Sequence, residues 1–231
     1  VSQGIKKEAS CIVIERALSI FSEASFRLAA DELASLGDLS HLASILILLH
    51  KIQTSRSCRG ISFKSQMLYL IVFLTRYVDL LTGPYVSLYN TVMKLFFIGS
   101  TGYTLFLMKV QFRPTHDASL DTFKLTYLLP PVAILALLFN YAYTPFELTW
   151  AFSIWLESVA ILPQLFMLQR TGEAETITTH YLAALGLYRG LYIPNWMYRY
   201  FTEGAFDPIA VVAGLIQTAI YADFGYIYVT K

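Results

Sequence analysis

Long apolar stretches separated by short polar connections occupy this chain from residue 36 onward. A transmembrane helix needs about 17–25 mostly apolar residues, and seven stretches qualify: Leu36–Ile52, Ile61–Leu81, Tyr85–Val110, Phe123–Asn140, Thr144–Gln169, Thr178–Tyr200 and Ala205–Val229. Connections such as Thr82–Pro84 and Tyr141–Tyr143 are so short that the helices they join must run antiparallel. The pattern therefore predicts an all-α membrane protein with seven transmembrane helices.

Composition and charge support this prediction. Of the 231 residues, 56% are hydrophobic and 14% are charged, whereas soluble domains carry about 25% charged residues. The net charge of +1, without an extended basic stripe, argues against nucleic-acid binding. Basic residues concentrate in the odd-numbered connections, which the positive-inside rule places in the cytosol together with the C-terminus: Lys51, Arg56, Arg59, Lys64, Lys109, Arg113, Lys124 and Arg170. With seven spans, the N-terminus is then luminal or exterior.

Residues 1–35 do not follow the pattern. The charged pair Glu15-Arg16 interrupts the stretch CIVIERALSIF, which makes it a poor signal peptide. An interfacial amphipathic helix, a disordered extension and a segment foreign to this domain all fit. We therefore divide the chain into an N-terminal extension, 1–35, and a seven-helix membrane domain, 36–231.

Two dipeptides hint at an internal repeat. Ser65-Gln66 and Pro163-Gln164 each place a glutamine inside an apolar stretch, in the second and fifth predicted spans. Transporters built from parallel repeats can consist of two three-helix halves joined by a linking helix. A small-solute transporter is therefore an alternative function.

Arginines inside the predicted spans point to a ligand. Within a span, a guanidinium costs at least ~2.5–3.5 kcal/mol unless a partner or water meets it, and Arg76, Arg189 and Arg199 lie within predicted spans. Arg189 shares one helical face with Tyr192, Trp196 and Arg199. An aromatic belt with snorkelling arginines is the alternative, and it suits Arg199 better than Arg189. Three such arginines predict a cationic cavity that takes an anionic ligand.

Other ionisable residues within the spans have two interpretations each. Arg76 and Asp79 are three residues apart and can neutralise one another. Glu147, Trp150 and Glu157 share a face of the fifth span, where a deep carboxyl finds a partner or takes a proton.

Of the four histidines in the sequence, His41 is the one that lies well inside a predicted span. It is either a satisfied core residue or a pH sensor with acidic and phenolic neighbours.

No enzyme motif is present, and we expect no enzyme activity, cofactor or metal. His116, Asp117 and Asp121 match no familiar ligand spacing, so we expect a solvated loop. Two cysteines give no disulfide framework. Cys58 lies between Arg56 and Arg59, which could lower its pKa, but we expect an ordinary loop cysteine.

Several long blocks resemble the KDEL (HDEL) receptor family, the ER lumen protein-retaining receptors. They follow in order from about Gly37 to Lys231 and include GDLSHLASILILLHKI, TRYVDLL, WLESVAILPQLFML and TITTHYLAALGLYRGLYIPNW. The resemblance implies seven helices in two three-helix halves, similar to sugar-transporting (SWEET) and PQ-loop proteins. It also implies a receptor of the endoplasmic reticulum and Golgi. Such receptors bind soluble proteins ending in Lys- or His-Asp-Glu-Leu in the acidic Golgi, return them in coatomer vesicles and release them at neutral pH.

The resemblance also implies roles for individual residues. Arg76 and Tyr77 would hold the terminal carboxylate, with Asp79 beside them, and Arg189 and Arg199 would engage the acidic side chains. The fourth residue from the end would meet Glu147 and Trp150. The pocket would be lined by Tyr192, Asn195 and Trp196. His41 would sense pH through a contact between Glu157 and Tyr188. Asp223 would take part in return transport.

The chain departs from the family pattern at both ends. The family has an arginine close to the ligand shortly before the GDLSH block, whereas here Phe26-Arg27 is followed by additional residues, so the placement of Arg27 at the site is doubtful. The family also ends in a lysine-containing cytosolic tail that coatomer reads, and this chain stops at Lys231. Peptide binding is expected without that tail.

Overall fold

A computed structural model describes residues 36–85, 87–171, 176–204 and 206–230. In these ranges the regular structure is helical, without a strand. The α-helices are α1 (36–55), α2 (Phe63–Arg76), α3 (Asp79–Thr82), α4 (Leu88–Phe106), α5 (Leu129–Leu138), α6 (Pro145–Val159), α7 (Leu162–Thr171), α8 (Thr176–Glu203) and α9 (Pro208–Thr230). A π-helical turn, Leu107–Gln111, extends α4, and 3₁₀ turns cover Arg113–Thr115 and Leu125–Tyr127. The predicted all-α fold is confirmed.

Local sequence signals explain where three of these helices begin. The hydroxyls of Ser62, Ser87 and Thr144 accept hydrogen bonds from backbone N–H groups three residues later, at the starts of α2, α4 and α6. Such N-caps satisfy donors that the helix itself leaves without partners. Pro145 occupies the first turn of α6, where its missing N–H costs nothing.

Three helical segments are long and apolar enough to cross a membrane within the described residues. They are Leu88–Gln111, Pro145–Thr171 and Pro208–Gly225, and Leu125–Leu138 is a shorter apolar helix. These segments coincide with the third, fifth, seventh and fourth predicted stretches. Many large apolar side chains remain exposed on the helices, among them Leu95, Ile134 and Leu215. A membrane protein is the assignment that accounts for this surface.

The helices pack around α2 and α6. Helix α2 contacts α4, α6 and α7, while α6 also contacts α5 and α9, and α8 packs on α9. The N-terminal half of α1 lies against α8, where the Ser40 hydroxyl donates to the carbonyl of Ala184 at 2.8 Å. The absence of a side chain at Gly37 permits this approach, since a Cβ there would lie 2.7 Å from the Tyr192 ring.

The two dipeptides that hinted at a repeat contact each other. The side chain of Gln164 accepts from the Ser62 N–H at 2.8 Å and donates to the Gly60 carbonyl at 2.8 Å. Its backbone N–H donates to the Ser65 hydroxyl at 3.0 Å. Gln164 is fully buried, so these bonds fix the start of α7 against the start of α2 away from solvent.

Candidate functional site

A cavity of about 440 Å³ opens between the ends of α2, α4, α6 and α9. Its volume lies in the range of about 300–1,000 Å³ that is typical of ligand pockets. Five predicted site residues line it together with four that the sequence did not single out: Arg76, Tyr77, Asp79, Glu147 and Trp150, and Lys94, Tyr141, Phe146 and Asp207.

A break in the second predicted span creates one wall of this cavity. Helix α2 ends at Arg76, Tyr77 leaves the helical conformation, and the backbone turns into the short helix α3 at Asp79. The Asp79 carboxylate forms an ion pair with Lys94 of α4. The Lys94 ammonium also lies 5.7 Å from the centre of the Tyr77 ring. This wall therefore presents Arg76, Tyr77 and Lys94, and we call it the cationic wall.

An acidic wall lies at the start of α6 and α9. Tyr141 donates to the Asp207 carboxylate at 2.7 Å, and its ring centre lies 6.0 Å from the Trp150 ring. Burial, followed by the bond to Asp207, raises the pKa of Tyr141 to about 12, so the phenol remains a donor at physiological pH. Glu147 in the first turn of α6 adds a second carboxylate.

Behind the cationic wall, one buried carboxylate holds two guanidinium groups. Glu157 Oε2 lies 2.5 Å from Nη1 of Arg76 and 2.6 Å from Nη2 of Arg189. Arg76 also donates to the hydroxyl and the carbonyl of Ser153, both at 3.2 Å. The side chain of Glu157 is 2% exposed, so the carboxylate at the centre of this triad of Arg76, Glu157 and Arg189 is shielded from water. Charges removed from water are stable only with such partners.

The contacts of Arg76 correct two sequence predictions. Pairing of Arg76 with Asp79 was one interpretation of the sequence, but the turn at Tyr77 separates them and each has another partner. The sequence also predicted a cationic cavity. Glu157 instead offsets one charge of the arginine pair, and Asp79, Glu147 and Asp207 contribute carboxylates to the lining.

His41 is connected to the triad through aromatic rings. Its ring centre lies 4.5 Å from Tyr188 and 4.9 Å from Phe97, and both pairs are stacked. Tyr188 in turn donates to Glu157 Oε1 at 3.3 Å. His41 is 7% exposed. A change in the charge of His41 therefore acts on Glu157 across a single phenol.

The remaining α8 candidates lie outside the cavity lining. Tyr192 donates to Asp38 of α1 at 2.7 Å, and Trp196 packs so closely on α9 that a Cβ at Gly214 would lie 2.0 Å from its ring. Asn195 is buried, whereas Arg199 and Asp223 are exposed. Arg27 lies outside the described residues.

The structure decides two expectations about the loops that were predicted to be cytosolic, and the expectation for Asp121 is wrong. Asp121 is buried instead of solvated, because its carboxylate accepts from the Ser62 hydroxyl and the Lys64 N–H, both at 3.0 Å, at the start of α2. Cys58 is fully buried, and this burial raises its pKa to about 11 despite the neighbouring arginines. The expectation of an ordinary cysteine therefore holds.

Sequence reasoning missed Lys94, Asp38, Tyr141 and Asp207. The rule that singled out Arg76 would also have found Lys94, a cation well inside the third predicted span. Asp38, Tyr141 and Asp207 lie near the ends of predicted spans, where polar residues are ordinary. Their importance follows only from the packing of distant segments.

Comparison with known proteins gives a consistent result. A sequence model of the family described as "ER lumen protein retaining receptor" matches residues 57–199. The chain is 60% identical over 195 residues to ER lumen protein-retaining receptor 2 of Gallus gallus, covering 84% of this chain and 92% of the relative. It is 60% identical over 194 residues to ER lumen protein-retaining receptor erd-2.2 of Caenorhabditis elegans, covering 84% and 91%. Identity to the Drosophila melanogaster ER lumen protein-retaining receptor is 57% over 195 residues, covering 84% and 92%.

Proposed function

Because this chain belongs to the ER lumen protein-retaining receptor family, we propose that it binds the C-terminal Lys- or His-Asp-Glu-Leu signal of escaped proteins in the 440 Å³ cavity. The observation that carries the proposal is the arrangement of charge in that cavity. Arg76 and Lys94 lie on one wall, and Glu147 and Asp207 on the other. A peptide with a terminal carboxylate and a cationic or polar residue at the fourth position from its end complements both walls.

The terminal carboxylate binds at Arg76 and Tyr77, with Asp79 nearby. A guanidinium pairs with a carboxylate through charge-assisted hydrogen bonds, which are roughly twice as strong as neutral ones. Tyr77 supplies a phenol at the same wall. At the opposite wall, Glu147 and Trp150 receive the fourth residue from the end, by charge or by ring stacking.

The acidic side chains of the signal are directed to α8. Arg189 holds Glu157 through Nη2, while its buried Nε has no hydrogen-bond partner among the described residues. An unpartnered buried donor is costly, and a ligand carboxylate would satisfy it. Arg199 is exposed and suits the capture of the incoming peptide. Tyr192, Asn195 and Trp196 lie on the same helix outside the cavity lining, and the family resemblance assigns them to this side of the site.

Binding is gated by His41. Its ring stacks on Tyr188, which bonds to Glu157, and Arg76 and Arg189 meet the same carboxylate. A proton on His41 strengthens the attraction to Glu157 and favours the closed, ligand-bound form. Affinity is then highest in the mildly acidic Golgi and falls as pH rises toward the value of the endoplasmic reticulum.

The membrane topology of the proposal is seven spans in two three-helix halves with a linking helix. The N-terminus is luminal and the C-terminus cytosolic, by the distribution of Lys and Arg. Return transport uses coatomer vesicles, and exposed Asp223 on α9 takes part in it. The small-solute transporter alternative is not favoured, because the matched relatives are named as retention receptors.

Isothermal titration of the purified receptor with a peptide ending in His-Asp-Glu-Leu tests the proposal. We expect tighter binding at pH about 5.5 than at about 7.4, and strong loss of binding when the C-terminus is amidated. A peptide with the last four residues scrambled is the control. Equal affinity at both pH values would refute the gating, and equal affinity for acid and amide would refute carboxylate recognition.

A further inference from the structure

Lys94 is a cation whose role does not follow from its place in the sequence. It lies in α4, inside an apolar segment long enough to cross a membrane, where a lone ammonium is unfavourable. Its side chain is 16% exposed, pairs with Asp79 and faces the cavity beside Arg76 and Tyr77. A position that holds a charge at such cost, at the wall of a cavity, is where a ligand contact is expected.

Arg76 alone has limited capacity for a carboxylate. A guanidinium carries five N–H donors, and three hydrogen bonds or ion pairs, from Nε, Nη1 and Nη2, go to Ser153 and Glu157. These partners lie on α6, behind the wall. The charge of Arg76 is already offset in part by Glu157, so a second cation at the same wall would strengthen the attraction for a ligand carboxylate.

Lys94 supplies that second cation. The bond to Asp79 Oδ2 occupies one of the three donors of its ammonium. Asp79 itself is 27% exposed, and its Oδ1 has no hydrogen-bond partner in the described part of the chain. The pair is thus anchored through one oxygen, which leaves the ammonium able to turn toward the cavity without breaking a larger network.

We propose that Lys94 is a second cationic contact for the C-terminal carboxylate of the bound peptide, and that Asp79 holds its ammonium at the cavity wall. This inference rests on the proposed function, because it requires a peptide ligand with a free C-terminus. It adds a residue to the site and changes the role of Asp79, which acts on the ligand through Lys94.

A thermodynamic cycle between protein and ligand tests the inference. Affinities of a His-Asp-Glu-Leu peptide, as free acid and as amide, are measured for the wild-type receptor and Lys94→Met at pH about 5.5, with weak ligands measured by competition at millimolar concentration. We expect Lys94→Met to weaken binding of the free-acid peptide at least about tenfold and binding of the amidated peptide less than about twofold. Only the free acid carries the negative charge that Lys94 contacts. Lys94→Arg should restore the free-acid affinity to within about threefold. Lys109→Met, on the exposed π-helical end of the same segment, is the matched control and should leave both affinities unchanged.

The possible results separate the inference from the proposed function. If Lys94→Met loses the same factor of affinity for the free-acid and the amidated peptide, the role of Lys94 is overturned and the receptor function stays in place. If the wild-type protein itself does not prefer the free acid, both the function and the inference fall. Should Lys94→Met unfold because Asp79 loses its partner, Lys94→Met/Asp79→Asn removes both charges, and the same selective loss for the free acid is expected from it.

Discussion

Replacing Glu157 by glutamine is the most direct test of the buried triad of Arg76, Glu157 and Arg189. The substitution keeps the size of the side chain but removes the single negative charge that two guanidinium groups share at 2.5 and 2.6 Å. Arg76 and Arg189 then lie close together without compensation. In an environment of effective dielectric constant near 20, two charges about 4 Å apart interact by about 4 kcal/mol.

Measured losses on breaking a buried ion pair agree with this magnitude, at about 3–5 kcal/mol. For a chain of this length, 1 kcal/mol corresponds to about 2–4 °C in melting temperature. We therefore expect Glu157→Gln to lower the Tm of the ligand-free protein by roughly 6–20 °C. Tryptophan fluorescence during thermal unfolding in detergent, at neutral pH, measures this change.

The matched control for this measurement is Glu147→Gln. Glu147 also lies on α6, but it lines the cavity and has no guanidinium within ion-pair distance among the described residues. Its replacement should change the Tm by no more than about 2 °C. A Glu157→Gln protein that melts within that margin of wild type would refute the inference that Glu157 holds the two arginines in the membrane interior.

Three further predictions concern the scaffold. Gly214→Ala places a methyl group 2.0 Å from the Trp196 ring, so we expect a displaced tryptophan, seen as a shifted fluorescence maximum, and a lower Tm. Gln164→Leu leaves the buried Ser62 N–H and Gly60 carbonyl without their partner, at about 1–3 kcal/mol each; circular dichroism melts should show the loss, and exposed Gln169→Leu should not. The pKa of Cys58 is about 11 in the folded protein. A maleimide should therefore react with Cys58 at pH 8.5 roughly a hundredfold more slowly in the folded protein than in the denatured chain, and faster as pH rises. Equal rates in the folded and denatured protein would contradict the burial of Cys58.

The positions of the long apolar helices were predictable because the length of each apolar stretch can be read from the sequence. Stretches such as Tyr85–Val110 and Thr144–Gln169 matched the helical segments Leu88–Gln111 and Pro145–Thr171 to within three residues at each end. The break at Tyr77 was not predictable in this way. Apolar content continues through Met67–Leu81, and neither glycine nor proline marks the turn before Gly83.

The partners of the charged residues required the three-dimensional structure. Spacing along one helix suggested Arg76 with Asp79, because neighbours on a helix face are the pairs that a sequence offers. The observed partners come from other helices: Arg76 pairs with Glu157 of α6, and Asp79 pairs with Lys94 of α4. Tertiary packing decides such pairs, so the sequence identified the arginines as functional candidates but not the carboxylate that balances them.

Glu157 joins the peptide cavity to the histidine, and this connection has a measurable consequence. Oε2 holds Arg76 and Arg189, while Oε1 accepts from the Tyr188 phenol that stacks on His41. In the proposed mechanism, a ligand carboxylate draws Arg76 toward the cavity and weakens its hold on Glu157, and a proton on His41 supplies the missing positive charge. Coupling between two binding events is reciprocal, so the peptide must promote protonation by the factor with which protonation promotes binding. Titrations at pH about 6.5 in buffers of different ionisation enthalpy should therefore show proton uptake on peptide binding, and His41→Phe should abolish it. A binding enthalpy independent of the buffer would disprove this connection.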